Sequence, residues 1–275
     1  MRKVVVGVVV AALAASAATV AFATGHKMVY KGTLFPNKAG KPTSVVFDNL
    51  TTVTGPEWNI AVWRKHKWIF PKGFRYNNKV IPPCTASAAK IKNDPKGACP
   101  VSTRMGSGVA FGWDAATGDL GVDVGFYNSK TGFIFIAEPR GVIYPISFFP
   151  VWDQANHTLN TPIRGCAPGD LEDTVDCDAG EARIKTIVAF MGVEPKVKGA
   201  WKGLVTGTKV NNIKVHYNKA KPIVRKGKAL MTAPKTCPAG GWDFPLELHV
   251  EHYDVGYEKQ SESDETFPHK TPCKK

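Results

Sequence analysis

The sequence lacks the short motifs that identify most zinc, nucleotide-binding and serine-hydrolase enzymes. It has no C-x₂₋₄-C pair and no H-E-x-x-H motif. The stretch GLVTGTK (203–209) lacks the G-K-[ST] ending of a phosphate-binding loop. MGSGVAFG (105–112) fits neither the dinucleotide-binding fingerprint nor the nucleophile elbow. No motif therefore fixes a reaction, and no catalytic residue is assigned.

Long apolar runs are also lacking after residue 23. The chain opens with a short basic segment, continues with an uncharged apolar run from Val4 to Val20, and reaches Ala21-Phe22-Ala23. This order is typical of a secretory signal peptide and its cleavage site. A transmembrane anchor is the alternative, but the run is rich in alanine and contains hydroxyl residues, so removal is favoured. We expect residues 1–23 to be a signal peptide, no transmembrane anchor, and a secreted protein that is extracellular or associated with the cell envelope.

The six cysteines all follow the expected signal peptide. In an oxidising compartment, an even number of cysteines indicates a disulfide framework. Zinc spacing is absent, and no odd cysteine is left over to act as a reactive thiol. Nearest-neighbour pairing predicts the bridges Cys84–Cys99, Cys166–Cys177 and Cys237–Cys273, with paired Cα atoms roughly 4.4–6.8 Å apart.

The chain is strongly basic, with a formal net charge of +13 that becomes +11 when Arg2 and Lys3 leave with the signal peptide. Such a charge favours anionic partners, namely acidic polysaccharide, teichoic-type polymers, lipid head groups or nucleic acid. Export argues against intracellular nucleic acid. We expect a basic face if the main basic runs converge, and lysines scattered for solubility if they do not; these runs are Arg64–Lys67, Lys196 with Lys198 and Lys202, and Lys219–Lys228.

Helical periodicity is scarce and short strands are frequent. Residues 107–139 contain three apolar or alternating runs separated by glycine-containing spacers, which predicts a three-stranded meander. Every residue of Phe133–Ile136 is apolar, which indicates a central strand covered on both faces. The sequence predicts an all-β fold, an antiparallel β-sandwich or jelly-roll-like domain over residues 24–275, stapled by disulfides.

The remaining elements follow from the same patterns. One short helix is expected near 85–91, capped by Ser or Thr and ended by Asp94-Pro95. The tail 258–275 has the composition of a disordered segment, although a bridge from Cys273 would tie it back. Further strands are expected at Met28–Thr33, Thr43–Asp48, Asn59–Phe70, Val142–Phe148, Ala182–Phe190, Asn212–Tyr217, Phe244–Tyr253 and Tyr257–Ser261.

Two segments, 70–108 and APKTCPAGGWDF (233–244), carry a distinctive arrangement of residues. In the first segment the shared positions are Pro71, Lys72, Gly73, Phe74, Asn77, Cys84, Cys99, Pro100, Ser102, Gly106 and Gly108. With Cys273 beside the C-terminus, this arrangement resembles uncharacterised secreted, β-rich proteins of high-GC Gram-positive (actinobacterial) bacteria. The resemblance implies export and a β-rich fold, and it implies no activity, substrate or catalytic residue.

An acidic loop lies between Cys166 and Cys177. Calcium binds six to eight oxygen ligands, and a cross-linked acidic loop could supply them. The spacing is not that of an EF-hand, and a solvated surface loop is the alternative. Calcium is thus the one candidate cofactor, with the candidate ligands Asp170, Glu172, Asp173, Asp176 and Asp178.

The stretch LELHVEHYD (246–254) has the alternation of a strand. Leu246, Leu248 and Val250 form its apolar face, and His249 and Glu251 lie together on the other face. This pair could hold a metal or act as a base with its orienting acid. The solvent face of an ordinary edge strand explains it equally well.

The segment WNIAVWRKHKWIF (58–70) interleaves tryptophans with cations, which suits sugar rings or acidic polymers. Core positions are favoured for most of Trp58, Trp63 and Trp68, because tryptophans are more often buried. Trp63 and Trp68 differ in parity along a strand, so they can share a face only if a bulge intervenes.

The sequence favours a non-enzymatic binding or structural protein at the cell envelope, whose partner is an anionic envelope polymer or polysaccharide. The alternative is a secreted polysaccharide-active hydrolase or lyase, because β-jelly-rolls are common scaffolds for such enzymes. A cleft with two convergent carboxylates or a His–Asp pair would distinguish the two functions.

Overall fold

The computed structural model describes residues 18–21, 26–53, 60–114, 118–139, 146–162, 210–211, 214–215, 221–253 and 259–275. These residues form antiparallel sheets with one short α-helix, so the all-β prediction is confirmed. Among them, no helix has the length and apolar character that crossing a bilayer requires. The expected strand Ala182–Phe190 lies outside the described residues.

The strands, in chain order, are β1 (Ala18–Ala21), β2 (His26–Phe35), β3 (Ser44–Val53), β4 (Ile60–Ile69), β5 (Arg75–Tyr76), β6 (Arg104–Asp114), β7 (Gly118–Asn128), β8 (Phe133–Pro139), β9 (Ile146–Phe148), β10 (Val151–Asp153), β11 (Thr158–Pro162), β12 (Val210–Asn211), β13 (Lys214–Val215), β14 (Val224–Arg225), β15 (Lys228–Ala229), β16 (Met231–Thr232), β17 (Trp242–Asp243), β18 (Leu246–Tyr253), β19 (Lys259–Phe267) and β20 (Lys270–Thr271). Three larger sheets have the orders β1-β2-β3, β6-β7-β8-β9 and β10-β11-β4-β18-β19. Strand pairs β5–β16, β14–β15, β17–β20 and β12–β13 complete the described architecture. β1 lies within the expected signal peptide and pairs with residues 27–30 of β2.

The four-stranded sheet contains the predicted meander, with β7 paired to both β6 and β8. All four residues from Phe133 to Ile136 are at most 7% exposed, which confirms a strand covered on both faces. Phe133 and Phe135 belong to the main core, whereas Ile134 and Ile136 belong to a smaller cluster beneath the Cys84–Cys99 loop. Two cores on opposite faces therefore explain why this strand lacks polar alternation.

The loop over the smaller core holds the helix α1 (Ala88–Asn93). Its N-cap is Ser87, whose hydroxyl accepts a hydrogen bond from the Lys90 amide at 3.3 Å. Ile91 is completely buried and anchors the helix to the cluster. The sequence predicted the start of this helix three residues too early and its end two residues too early, but its hydroxyl cap and its end before Pro95 are confirmed.

Two of the three predicted disulfides join described cysteines, and both are confirmed. The Cα atoms of Cys84 and Cys99 are 5.3 Å apart, and those of Cys237 and Cys273 are 5.7 Å apart. Both distances fall in the expected range. Cys166 and Cys177 lie outside the described residues.

The tail forms the strands β19 and β20, although its composition is typical of a disordered segment. β19 pairs along β18, with Leu246 opposite Phe267. Phe267 is fully buried, and burying a side chain of this size contributes about 1.5–3 kcal/mol. Beyond it, the bridge to Cys237 fixes Cys273, as predicted. One apolar anchor and one disulfide thus hold an otherwise polar segment.

β4 contains the irregularity that the tryptophan spacing required. Lys65 is opposite His249 and Trp63 is opposite Val250, so Arg64 is an extra residue on β4. This bulge puts Trp63 in register with a buried position of β18, as Trp68 is in register with Leu246. Trp68 is 4% exposed, so its predicted core location is confirmed, while Trp58 lies outside the described residues.

The main core is aromatic and draws side chains from all three larger sheets. The Phe244 ring lies 4.7 Å from Phe70 and 5.9 Å from Phe47, measured between ring centroids. A Cβ added at Gly32 would collide with the Phe244 ring and the Tyr30 hydroxyl. Glycine therefore lets the aromatic rings approach the β2 backbone. Burial raises the pKa of Tyr30 well above its usual value.

His66 lies on the core side of β4, where it is 4% exposed and its ring centroid lies 5.3 Å from that of Trp68. Burial lowers the pKa of His66 from 6.5 to about 3. The predicted basic run Arg64–Lys67 is therefore interrupted by a neutral, buried imidazole. Lys65 is exposed and Lys67 is half-buried.

The burial of His66 predicts that the fold loses stability below pH 6.5. The unfolded chain protonates this histidine near pH 6.5 and the folded chain only near pH 3, so the unfolded state binds more protons between these values. The free energy of unfolding should fall by about 2 kcal/mol from pH 7 to pH 5 through this residue alone. Urea unfolding of the wild type and of His66→Leu measures it; an identical pH dependence in both would contradict the prediction.

Candidate anion-binding surface

The sequence placed candidate sites in the acidic loop, the strand 246–254 and the segment 58–70, and the structure describes the last two in part. The acidic loop that carries Asp170, Glu172, Asp173, Asp176 and Asp178 lies outside the described residues, and calcium binding there stays a prediction. The cations Lys196, Lys198 and Lys202 also lie outside. His249 is described, whereas the side chain of Glu251 is not.

The partners of His249 come from β19. Its Nδ1 lies 2.9 Å from Asp264 Oδ1, and its Nε2 lies 3.9 Å from Glu262 Oε2. These carboxylates sit beside His249 because β18 and β19 pair in antiparallel register. These two carboxylates were not predicted as partners, because the expected strand Tyr257–Ser261 ends before Glu262 and Asp264. Among the described residues, no three His, Cys, Asp or Glu side chains form a possible metal site.

His249 borders a shallow depression of about 250 Å³ on the outer face of the five-stranded sheet. An ion pair crosses it, with Lys67 Nζ 2.8 Å from Glu247 Oε2. The Asp264 side chain is 91% exposed and the Glu262 side chain 55%. The carboxyl groups that act as acids in glycosidases are reactive because water is largely excluded around them. These two carboxylates are exposed to water instead. Cross-strand ion pairing that fastens β19 to β18 is the better explanation.

A second surface is defined by four segments, 36–43, 71–79, 221–235 and 270–275, which we call the basic surface. They contribute two, three, five and three Lys or Arg residues respectively, thirteen in all, and contain no Asp or Glu. All thirteen are exposed: Lys38, Lys41, Lys72, Arg75, Lys79, Lys221, Arg225, Lys226, Lys228, Lys235, Lys270, Lys274 and Lys275.

Backbone hydrogen bonds bring the four segments together. The Ala39 amide donates to the Lys274 carbonyl, and the Gly40 amide to the Pro234 carbonyl, both at 2.8 Å. A further hydrogen bond joins segments 221–235 and 36–43, where the Ala233 amide donates to the Lys41 carbonyl at 3.0 Å. β16 then pairs with β5, and the Asn77 amide donates to the Leu230 carbonyl at 2.8 Å. Segments far apart in the sequence therefore form one continuous strip of backbone.

The hairpin β14–β15 extends the basic surface. Its turn residues Lys226 and Gly227 have φ values of 48° and 73°, the left-handed pair that a two-residue type I′ turn requires. The Leu230 amide donates to the Ile223 carbonyl at 2.9 Å, which joins the hairpin to the strip. Part of the predicted basic run Lys219–Lys228 thus lies on this surface.

Acidic neighbours are almost absent from the basic surface. Of its thirteen cations, only Lys270 has a described carboxylate within 4 Å, namely Asp243 at 3.7 Å. The other positive charges are not neutralised by ion pairs among the described residues. A surface of this kind attracts polyanions and releases their counterions on contact.

Of this surface, only the part formed by the β14–β15 hairpin was predicted from the sequence. Most of the other cations occur singly in short Pro- or Gly-containing segments, so no run marks them. The sequence feature that could have indicated this surface is the absence of Asp and Glu from 36–43, 71–79, 221–235 and 270–275. Of the predicted contributors, Lys65 and Lys67 lie on the outer face of the five-stranded sheet instead.

No protein-family model matches the sequence, and comparisons with curated proteins and with solved structures found no match either. The chemistry of the described surface is therefore what indicates a function.

Proposed function

We propose that this protein is secreted and binds an anionic polymer of the cell envelope through the basic surface, without catalysing a reaction. The observation that carries the proposal is a set of thirteen exposed cations on four adjoining segments that contain no acid. Two disulfides and the signal-like N-terminus support an extracellular location. The resemblance to secreted actinobacterial proteins points to the same compartment.

The physical basis is electrostatic. Each cation that neutralises a polymer charge releases a condensed counterion, so affinity falls as the salt concentration rises. Cations that already have a protein partner gain little from a ligand, whereas twelve of these thirteen have none within 4 Å among the described carboxylates. Most of the surface is therefore available to a polyanion.

Reversing three charges on the basic surface should abolish most of the binding. Lys38→Glu, Lys41→Glu and Lys235→Glu together should weaken binding to isolated cell wall or acidic polysaccharide by at least about tenfold at low ionic strength. The matched control, Lys90→Glu with Lys96→Glu and Arg104→Glu, makes the same change in net charge at exposed positions outside the four segments. Sedimentation with the polymer at two salt concentrations measures both triple variants.

The outcomes separate a localised site from general basicity. Loss in the first triple variant and retention within about twofold in the control would support the basic surface. Equal loss in both variants would show that only net charge matters and would contradict a defined site. Wild-type retention that ignores salt, or no retention at low salt, would overturn the proposal.

The alternative function is a secreted hydrolase or lyase that acts on polysaccharide, with the His249–Asp264 pair as base and orienting acid. In that arrangement Asp264 would accept the Nδ1 proton and leave Nε2 as the base. A screen of cell-wall and plant polysaccharides with the wild type and Asp264→Asn tests it. Product release that depends on Asp264 would favour the enzyme over the binding protein.

A further inference from the structure

We infer that the ligand of the basic surface is a flexible phosphodiester polymer of the polyol-phosphate, teichoic type, which crosses the backbone segments instead of following one of them. This inference rests on the proposed function and adds the chemical class of the polymer. Three observations carry it: the side-by-side order of the segments, the burial of their aromatic residues and the dominance of lysine over arginine.

The segments lie side by side in the order 272–275, 37–43, 231–235 and 75–77. The backbones of Lys274 and Lys38 form an isolated β-bridge, and those of Pro42 and Thr232 form another. Thr232 in turn pairs with Arg75 between β16 and β5. Paired backbone segments lie about 4.7–4.9 Å apart, so the four span roughly 15 Å. Each carries at least one exposed cation in this region. A chain that crosses the strip meets a new cation at every segment, whereas a chain along one segment meets few.

The basic surface offers charge without a stacking platform. The aromatic residues of its four segments are Phe74 and Tyr76, which are 0% and 8% exposed. Their rings pack inward against Phe70, Phe133 and Trp152. Proteins that hold single-stranded nucleic acid stack its bases on exposed aromatic rings. Within these segments a ligand must therefore be held by its charges, which favours a polymer whose backbone itself carries them.

Lysine dominates the cations, with eleven lysines and only Arg75 and Arg225 among the thirteen. The arginine guanidinium binds both carboxylate and phosphate with two parallel hydrogen bonds, whereas lysine binds phosphate as a point charge. Lysine ammonium groups on flexible stems suit single charges spaced along a flexible chain. Polymers of uronic acid, which present planar carboxylates on stiff rings, match this surface less well.

The test compares three polymers at equal concentration of charge and at low ionic strength: poly(glycerol phosphate), polygalacturonate and duplex DNA. The wild type should bind poly(glycerol phosphate) at least about tenfold more tightly than either of the others, although duplex DNA has the denser charge, one per roughly 1.7 Å. A preference for the less dense polymer would show that the chain chemistry is recognised. Isothermal titration calorimetry and fluorescence anisotropy both provide this readout.

A charge-conserving variant isolates the role of lysine. Lys38→Arg, Lys41→Arg and Lys235→Arg together keep every charge and should tighten the binding of polygalacturonate by several-fold, because a guanidinium can bind a planar carboxylate with two hydrogen bonds, which lysine meets only as a point charge. Equal binding of poly(glycerol phosphate) and polygalacturonate by the wild type, or an unchanged affinity of the variant for polygalacturonate, would overturn the inference and leave the proposed function intact. Tightest binding to duplex DNA would also overturn it and indicate a nucleic acid ligand. Failure of all three polymers to bind would overturn the proposed function itself.

Discussion

Replacing Asn128 by alanine should lower the free energy of unfolding by about 4 kcal/mol, because it removes the donor for one buried and two partly buried carbonyl groups and the acceptor for a buried hydroxyl. The Asn128 side chain is completely buried. Its Nδ2 lies within 3.2 Å of the carbonyl oxygens of Asn78, Ile81 and Pro82, and its Oδ1 accepts a hydrogen bond from the Tyr76 hydroxyl. One amide thus holds the chain that leads into the Cys84–Cys99 loop.

Urea unfolding of purified Asn128→Ala measures this effect. Asn78→Ala is the matched control, because its exposed amide donates a single bond, to the Lys130 carbonyl at 2.7 Å, and should cost less than about 1 kcal/mol. Asn128→Asp should be worse than alanine near pH 7, because a buried carboxylate would face carbonyl oxygens. Its folded-state pKa would be raised, so this variant should regain stability as pH falls. A loss below about 1 kcal/mol in Asn128→Ala would contradict the argument.

Removing the Cys237–Cys273 bridge should both destabilise the fold and weaken polymer binding. The bridge closes a loop with a sequence separation of 36, so Cys237→Ser with Cys273→Ser should lower the free energy of unfolding by roughly 4 kcal/mol. The same bridge keeps Lys274 beside Lys38 on the basic surface. Release of the end of the chain should therefore reduce affinity for poly(glycerol phosphate) even in the folded fraction.

The other described disulfide provides the control. Cys84→Ser with Cys99→Ser opens a loop with a sequence separation of 15 and should cost roughly 3 kcal/mol, yet it leaves the four basic segments untouched. Chemical unfolding and polymer binding, measured on both double variants at a temperature where each is folded, separate the two effects. Equal affinities in the two variants would contradict a binding role for the chain beyond Cys273.

The elements that could be predicted from sequence are those whose signal is local. Three such elements are recognised from a few consecutive residues: the apolar run Phe133–Ile136, the alternation of Leu246, Leu248 and Val250, and the Ser87 cap. The nearest-neighbour disulfides 84–99 and 237–273 were predictable for the same reason, because they close loops that already bring their ends together.

The elements that escaped prediction depend on distant partners. Only the start of β19 falls within the expected strand Tyr257–Ser261, because Phe267 is the only large apolar side chain of β19 and its pairing with β18 is not visible in the sequence. His249 gained its carboxylate neighbours through the same pairing. Most of the basic surface was missed because its strip depends on hydrogen bonds between residues far apart in the sequence, such as Ala39 with Lys274 and Gly40 with Pro234. The sequence gives the number and positions of the thirteen cations but not which segments lie beside one another in the fold.

Among the described strands, β19 is the outer strand of the five-stranded sheet, and its composition disfavours pairing with other chains. An exposed strand edge presents unpaired amide and carbonyl groups, which other molecules can extend into larger aggregates. Residues 259–266 carry four charged side chains and no aliphatic one, so the edge that they form repels such pairing. The neighbouring strand β18 alternates the buried residues Leu246, Leu248 and Val250 with polar residues. In a protein that ends before Lys259, β18 would be the outer strand of this sheet. Its free amide and carbonyl groups could then pair with other chains, so the polar segment 259–266 disfavours the formation of fibres.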